Sequence, residues 1–363
     1  MQSLRSTARH ARPGIVAAAF AALALTIAFA DHTEFAAGAE PSATLDSSSS
    51  AQPSASRYLT ERVLLVIIDG PRDSETFGDS ARTNIPFLSR LARGEGFFSR
   101  QVRNMGETET MPGHCALFTG NYEDLRNWAI YRFGVRGSCP RPSYPTLFER
   151  LRKERGAPAS AAVLHSSKMK IACLAWSDAE GYGEKCGASN ECGEWELFGP
   201  GYSDDKPTFD RAKLEMQHGD ATLLVVHFAG PDNRGHAGDS TGYVAAIRRA
   251  DAFTGALWRL AQELPAWRGK TTLFVASDHG RHLDGVREGF SGHGHGCKCE
   301  GCRVILFAAA GPDFDGTPEE ITTRREQVDI AATIAELLGI SREGMQGEVM
   351  TELFRAPDVT STN

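Results

Sequence analysis

The chain of 363 residues carries 39 Lys and Arg against 46 Asp and Glu, a formal net charge of −7 at pH 7. That length supports one large α/β domain or two ordinary ones, and 41% hydrophobic with 23% charged residues excludes wholesale disorder. The acidic balance argues against a polybasic binder of nucleic-acid duplexes, which needs clustered Lys and Arg to neutralise phosphates.

The first element is an apolar run, Ile15–Ala30, preceded by Arg5, Arg9 and Arg12 and ending in Ala28-Phe29-Ala30 ahead of Asp31. A basic start, an apolar middle and a small-x-small end predict a signal peptide over residues 1–30, and hence an exported protein, periplasmic or secreted. An uncleaved N-terminal anchor is the alternative, although the run is slightly short for a full span. The mature form otherwise has no membrane span. Residues 31–57, rich in Ala, Ser, Thr and Pro with Ser47–Ser50 in a row, have too little apolar content to fold and are expected to be a disordered linker.

Ordered structure is expected over 58–357, with 358–363 as a C-terminal tail. Val63–Ile68 is a continuous β-branched and apolar run, the pattern of a strand buried on both faces in a parallel sheet, and it ends in Asp69-Gly70-Pro71. Leu223–Phe228 leads in the same way to Asp232, and Thr272–Ala276 to Asp278. Val304–Phe307 is a fourth such run and Ala161–Leu164 a weaker fifth. Helical patterns lie at Pro86–Arg93, Pro145–Lys153, Tyr243–Glu263 and Gln327–Leu338. Alternating strands and helices predict an α/β fold with a mostly parallel sheet, whose ligands bind outside the carboxyl ends of the strands. Residues 177–210 lack periodicity and are expected to be a surface insertion.

Eight cysteines suit an oxidising compartment: Cys115, Cys139, Cys173, Cys186, Cys192, Cys297, Cys299 and Cys302. Cys186 and Cys192 form a plausible local pair. The cluster Cys297, Cys299 and Cys302 reads as disulfide-forming in preference to metal-binding, because four-ligand zinc sites usually show two separated pairs. The connectivity is not legible.

Asp69, Asp232, His236, Asp278, His279, His293 and His295 are ligand types for zinc and related divalent ions. An Asp closing a single strand is commonly a turn or capping residue. Three that follow strand ends share one rim, and that pattern points to a metal centre. Pro112, two places after Thr110, suits the first turn of a helix. Thr110 would then stand at a helix N-terminus, which attracts anions, and a hydroxyl there becomes a nucleophile once a metal activates it. The alternative is a plain capping role. Gly238, Ser240 and Gly242 spell a nucleophile elbow in letters, but Ser240 lies well beyond the end of its strand.

The set Asp69-Gly70, Thr110, Pro112 and His114, Pro231-Asp232 with Gly235-His236 and Gly238, and Ser277-Asp278-His279-Gly280 resembles the alkaline phosphatase superfamily. Its nearest likeness is to the type I phosphodiesterase/nucleotide pyrophosphatase branch. Asp329–Gly339 is similar to the C-terminal helix found there, so the resemblance runs from about Val63 to Glu348. It implies an alkaline-phosphatase-like three-layer sandwich with a mostly parallel central sheet and helices on both faces.

It also implies two divalent metal ions, with Zn2+ the expected ion. Asp69, Asp278, His279 and Thr110 resemble the ligands of one. Asp232, His236 and a late His resemble the ligands of the other, with His293 preferred and His295 the alternative. Asn127 resembles the amide that contacts a phosphate oxygen in relatives. The implied activity is phosphoester hydrolysis through a covalent phosphothreonine, with a small phosphoester as substrate. A phosphomonoesterase, a sulfatase-like hydrolase and a non-catalytic metal-supported binding protein are the competing readings. Thr110 stands where dedicated sulfatases carry Cys or Ser, and no Arg follows at position 114. Arg72, Arg132 and Arg281 are candidates for an added phosphate grip.

Overall fold

Every side chain from Val63 to Ile68 is fully buried in the strand Arg62–Ile68 (β1), as the uninterrupted apolar run requires. A computed structural model describes residues 57–123, 125, 140–156, 158, 161–183, 203–315 and 319–355, together with the backbone of 189–192. The signal-peptide and linker expectations, the tail 358–363, Asn127, Arg132, Cys139 and the Cys186–Cys192 pairing lie outside the described residues.

The further strands are Phe97–Ser99 (β2), Val102–Arg103 (β3), Ala162–Ser166 (β4), Ser189–Cys192 (β5), Leu223–Phe228 (β6), Thr271–Ala276 (β7), Phe307–Ala310 (β8), Glu319–Glu320 (β9) and Arg325–Glu326 (β10). Eight of them form one sheet in the order β5-β4-β6-β1-β7-β8-β2-β9. The core strands run parallel, and β8 runs antiparallel to both β7 and β2. The helices are Pro86–Gly94 (α1), Thr110–Thr119 (α2), Leu147–Glu154 (α3), Asp205–His218 (α4), Gly230–His236 (α5), Ser240–Glu263 (α6), Glu300–Arg303 (α7) and Gln327–Leu338 (α8).

Strand side chains alternate between faces, and each face of β1 has its own core. Val63, Leu65 and Ile67 pack with α2, α3 and α8, whereas Leu64, Val66 and Ile68 pack with α1, α4 and α6. Each such buried aliphatic side chain contributes about 1.5–3 kcal/mol. The result is the expected three-layer arrangement. Polar ties seat the helices: the Asp251 carboxylate of α6 accepts from the Phe87 and Leu88 amides that open α1, at 2.8 and 2.9 Å. Gln327, fully buried at the start of α8, donates to the carbonyls of Ser277 and Asp278.

Register decides where the chemistry lies. Ile68 pairs with Phe228, Ile67 with Ala276 and Ser166 with His227. The chain therefore leaves β1, β4, β6 and β7 at one rim.

Two expectations change. The stretch 177–210 is not simply an insertion, because it supplies the edge strand β5, parallel to β4, and the first residues of α4. The run beginning at Val304 pairs as a sheet strand only from Phe307. Val304 instead bridges Arg103, and the Ile305 amide donates to Val102 O at 3.1 Å, which holds these two residues against β3.

Candidate active site and metal-binding clusters

Asp69 leaves β1 and turns at once through Gly70, whose φ of +65° places it in the left-handed region. A Cβ there would also lie 3.1 Å from the His279 ring and 3.2 Å from Asp232 Oδ1. Asp278 Oδ1 accepts from the amides of Gly70 and His279, at 3.2 and 2.9 Å. Its Oδ2 and the Oδ1 of Asp69 are buried without a hydrogen-bond partner. His279 Nδ1 donates to Gly280 O at 2.8 Å and so presents the lone pair of Nε2. That nitrogen lies 3.4 Å from each orphaned oxygen and 3.5 Å from Thr110 Oγ1. Ligands about 2.0–2.2 Å from a tetrahedral cation stand about 3.3–3.6 Å apart, so Asp69, Asp278, His279 and Thr110 fit a divalent ion.

Thr110 opens α2, at the positive end of its dipole. The helix approaches the end of β7 so closely that a Cβ on Gly113 would lie 2.3 Å from Asp278 O. His114 Nδ1 donates to Thr110 O at 2.8 Å, one turn back on the same helix.

Asp232 and His236 stand four residues apart on α5 and share a face. His236 Nδ1 donates to Gly292 O at 3.0 Å and His295 Nδ1 to Thr108 O at 3.2 Å. Both Nε2 lone pairs therefore face each other at 3.1 Å, an arrangement that calls for a cation or proton between them. His236 Nε2 is 3.2 Å from Asp232 Oδ2, and His295 Nε2 is 3.5 Å from Asp232 Oδ1. Burial, then the neighbouring His279 and Arg281, hold the His295 pKa well below the usual imidazole range, which keeps its lone pair free.

Among the two late histidines, the structure brings His295 and not His293 into this cluster. The His293 side chain is 61% exposed, with Nε2 3.8 Å from Glu109 Oε1. The preference for His293 is therefore reversed. Positive φ at Gly292, Gly294 and Gly296 winds the loop so that the second histidine, not the first, turns inward.

Lys168, just beyond β4, is the residue that sequence reasoning missed. Its buried Nζ donates to Asp69 Oδ2 at 2.7 Å, Asp232 Oδ2 at 3.0 Å and Thr110 Oγ1 at 3.0 Å. Asp69 thus divides its oxygens, Oδ2 toward Lys168 and Oδ1 toward His279. His227 completes the arrangement, with Nε2 3.2 Å from Asp69 Oδ2 and Nδ1 2.8 Å from Ser166 Oγ. Burial pushes its pKa down to about 4, so the ring is neutral and donates its one proton to the Asp69 carboxylate. Burial alone would raise the Asp69 and Asp232 pKa values, but the Lys168 charge, joined by His227 at Asp69 and by His236, His295 and His279 at Asp232, outweighs it and holds both well below the usual carboxylate range. One signal in the sequence pointed to Lys168: it follows the run Ala161–Leu164 at the same rim as the three aspartates.

Two of the arginine candidates are already committed. Arg281, fully buried, donates to Asp232 Oδ1 at 2.6 Å. Arg72 pairs with Glu75 and with Asp284. Lys170 lies near the three aspartates, and burial together with the charge of Lys168 lowers its pKa to about 8.

An α/β sandwich with carboxylate and histidine clusters at the carboxyl rim of its sheet is an alkaline phosphatase superfamily architecture, a class whose enzymes hydrolyse or transfer phosphoesters and related groups. Residues 63–282 match the family model of type I phosphodiesterase / nucleotide pyrophosphatase, and the chain belongs to that family. It is 30% identical over 156 residues to the catalytic subunit of human GPI ethanolamine phosphate transferase 3, a match covering 41% of this chain and 13% of the relative. It is 29% identical over 154 residues to a 2,3-bisphosphoglycerate-independent phosphoglycerate mutase of Haloquadratum walsbyi, covering 42% and 28%. The chain thus matches less than a third of either curated relative.

Solved structures share the fold. An alkaline phosphatase superfamily protein from Vibrio parahaemolyticus superimposes with a TM-score of 0.57 at 15% identity, covering 80% of this chain and 70% of that one. An inactive variant of murine ectonucleotide pyrophosphatase / phosphodiesterase 5 in complex with AMP gives 0.56 at 14% identity, covering 81% and 100%. Among the described residues, no helix is long and apolar enough to cross a membrane.

Proposed function

We propose that the chain is an exported phosphoester hydrolase, phosphodiesterase-like, that works through a covalent phosphothreonine at Thr110. Two divalent ions, with Zn2+ the expected pair, would be held by Asp69, Asp278, His279 and Thr110 and by Asp232, His236 and His295. The observation that carries this reading is the position of Thr110 Oγ1, at a helix N-terminus, 3.5 Å from His279 Nε2 and 3.0 Å from Lys168 Nζ.

Bound metal would supply Lewis-acid charge that makes the threonine hydroxyl acidic and offsets charge on the phosphoryl oxygens. The Lys168 ammonium, hydrogen-bonded to Oγ1, stabilises that oxygen as an anion in a site shielded from water. The α2 N-terminus favours the incoming anion. Oγ1 gives up its proton to solvent and attacks phosphorus, the bond to the leaving alcohol breaks, and that alcohol takes a proton from solvent. Water then attacks the phosphothreonine from the vacated side, restores the Thr110 hydroxyl and releases the phosphorylated product. The curated relatives are a transferase and a mutase, so an acceptor alcohol in place of water is the second reading.

Hydrolysis of bis-p-nitrophenyl phosphate against p-nitrophenyl phosphate, with and without added alcohols, separates these outcomes. The diester is expected to be the better substrate. Thr110→Ala is expected to abolish turnover and phosphoprotein formation while retaining metal. A metal-replete Thr110→Ala protein that still turns over would refute the assignment.

A further inference from the structure

We propose that His282, Cys297, Cys299 and Cys302 form a further metal site, a structural Cys3His zinc site that fastens the loop bearing His295. One ligand atom from each residue lies within 4.8 Å of the other three. The three cysteines are free thiols rather than the disulfide partners their sequence suggests. Cys297 Sγ and Cys302 Sγ stand 3.7 Å apart, far beyond an S–S bond of about 2.05 Å. Two thiolates on a tetrahedral zinc, each about 2.3 Å from the metal, would be about 3.8 Å apart. The Cys299 amide lies 3.3 Å from Cys297 Sγ and donates to it, a contact that favours the thiolate.

The fourth corner is an imidazole with nothing else to do. The His282 ring is fully buried, and neither of its nitrogens has a hydrogen-bond partner. The Glu288 carboxylate lies 3.7 Å from Nδ1, beyond hydrogen-bond reach. A buried imidazole without partners is costly, and a metal ligand position removes that cost. Three thiolates and one imidazole are a soft donor set that selects zinc over magnesium or calcium.

The site ties together the segments that carry the chemistry. Cys297 O accepts from Thr108 Oγ1 at 2.7 Å, and the Gly296 amide donates to Thr108 O at 2.9 Å, two residues before Thr110. The Gly280 amide, next to His279, donates to Cys302 O at 2.9 Å. The His282 amide donates to Gly294 O at 2.6 Å, next to His295. Closing the Cys3His knot therefore fixes the spacing of Thr110, His279 and His295.

The test counts metal in the full chain. Wild type is expected to bind one zinc more per chain than Cys299→Ser or Cys302→Ser, of which the first alters a partly exposed position and leaves the packed interior alone. The cobalt-substituted protein is expected to show thiolate-to-cobalt charge-transfer absorption in the near ultraviolet. That band should persist in a Asp69→Asn/Asp232→Asn variant, because the rim clusters contain no sulfur, and should be lost in the cysteine variants. An unchanged metal count in both cysteine variants, absence of the band from cobalt-loaded wild type, or a disulfide joining any two of the three cysteines would overturn the proposal. None of these results depends on hydrolytic activity.

Discussion

Lys168→Met removes one ammonium and keeps an apolar stem of similar length, and it should separate stability from catalysis. Three hydrogen bonds leave with it, to Asp69, Asp232 and Thr110, all buried. In the metal-free protein the two carboxylates lose their shared cation, and breaking a buried pair in this way costs about 3–5 kcal/mol. Divalent metal replaces that positive charge, so the stability deficit should shrink sharply once the clusters are loaded. The catalytic deficit should not. A hydrogen bond to a charged group contributes about 1.5–3 kcal/mol, which at 1.36 kcal/mol per decade predicts a fall in kcat/KM of about 10- to 100-fold. The assay pairs urea unfolding with and without zinc against diester hydrolysis at measured metal content. Lys168→Met with kcat/KM within about twofold of wild type, and with an unchanged metal-free unfolding midpoint, would refute the role of the ammonium.

Gly113→Ala places a Cβ 2.3 Å from Asp278 O, a backbone atom that cannot swing aside. The helix bearing Thr110 must then shift, and a displacement of about 1 Å costs about 100-fold in turnover, measurable as kcat at unchanged helical content. His295→Ala should lose a metal equivalent and most activity, whereas His293→Ala should keep both, read by elemental analysis and turnover. Burial raises the Asp205 carboxyl from 3.8 to about 6, so the folded state holds its proton more tightly than the unfolded state. That contribution is full below the unfolded value and is lost as pH rises through 6. It amounts to about 3 kcal/mol across the window, and Asp205→Asn should remove this part of the pH dependence of unfolding measured from pH 4 to 7.

The parts of the site that a local pattern specifies were legible in the sequence. Asp69, Asp232 and Asp278 each follow an apolar run that only a buried parallel strand would carry, and register then brings them to one rim. Helix α4 has no legible sequence pattern because few of its apolar side chains, among them Phe209, Ala212 and Met216, reach the core, and its first residues fall in the stretch 177–210 that lacks periodicity. The start of β8 was hidden inside a continuous apolar stretch, where only the partner strand decides which residues pair. His293 and His295 share a Gly-flanked setting, and a winding of the loop invisible to spacing chooses between them. The three clustered thiols were evident. Their fourth partner, His282, lies upstream across a turn-rich loop, so separated-pair spacing could not reveal it. Lys168 carries no motif at all, and its role arises from being buried among acids brought in by other strands.

Charge at the rim also bears on the substrate. The overall balance is −7, and it becomes −10 if residues 1–30, which carry three arginines and no acids, are removed. Locally, Asp69 and Asp232 pair with Lys168 and Arg281, and with Asp278 beside them the sum is −1, which two divalent ions would convert to +3. The local field therefore opposes the global one, and close to a bound ion it dominates. How that positive charge is arranged matters more than its amount. Arg281 is spent on Asp232, and Arg72 on Glu75 and Asp284, so neither guanidinium is free to grip a doubly charged terminal phosphate in the bidentate manner that suits arginine. Lys168 and Lys170 offer point charges instead. A phosphodiester brings one negative charge and two substituted oxygens, and asks for no such grip. Installing an arginine at Lys170 should therefore shift the ratio of monoester to diester turnover upward, and an unchanged ratio would show that cation type at this rim does not set the preference.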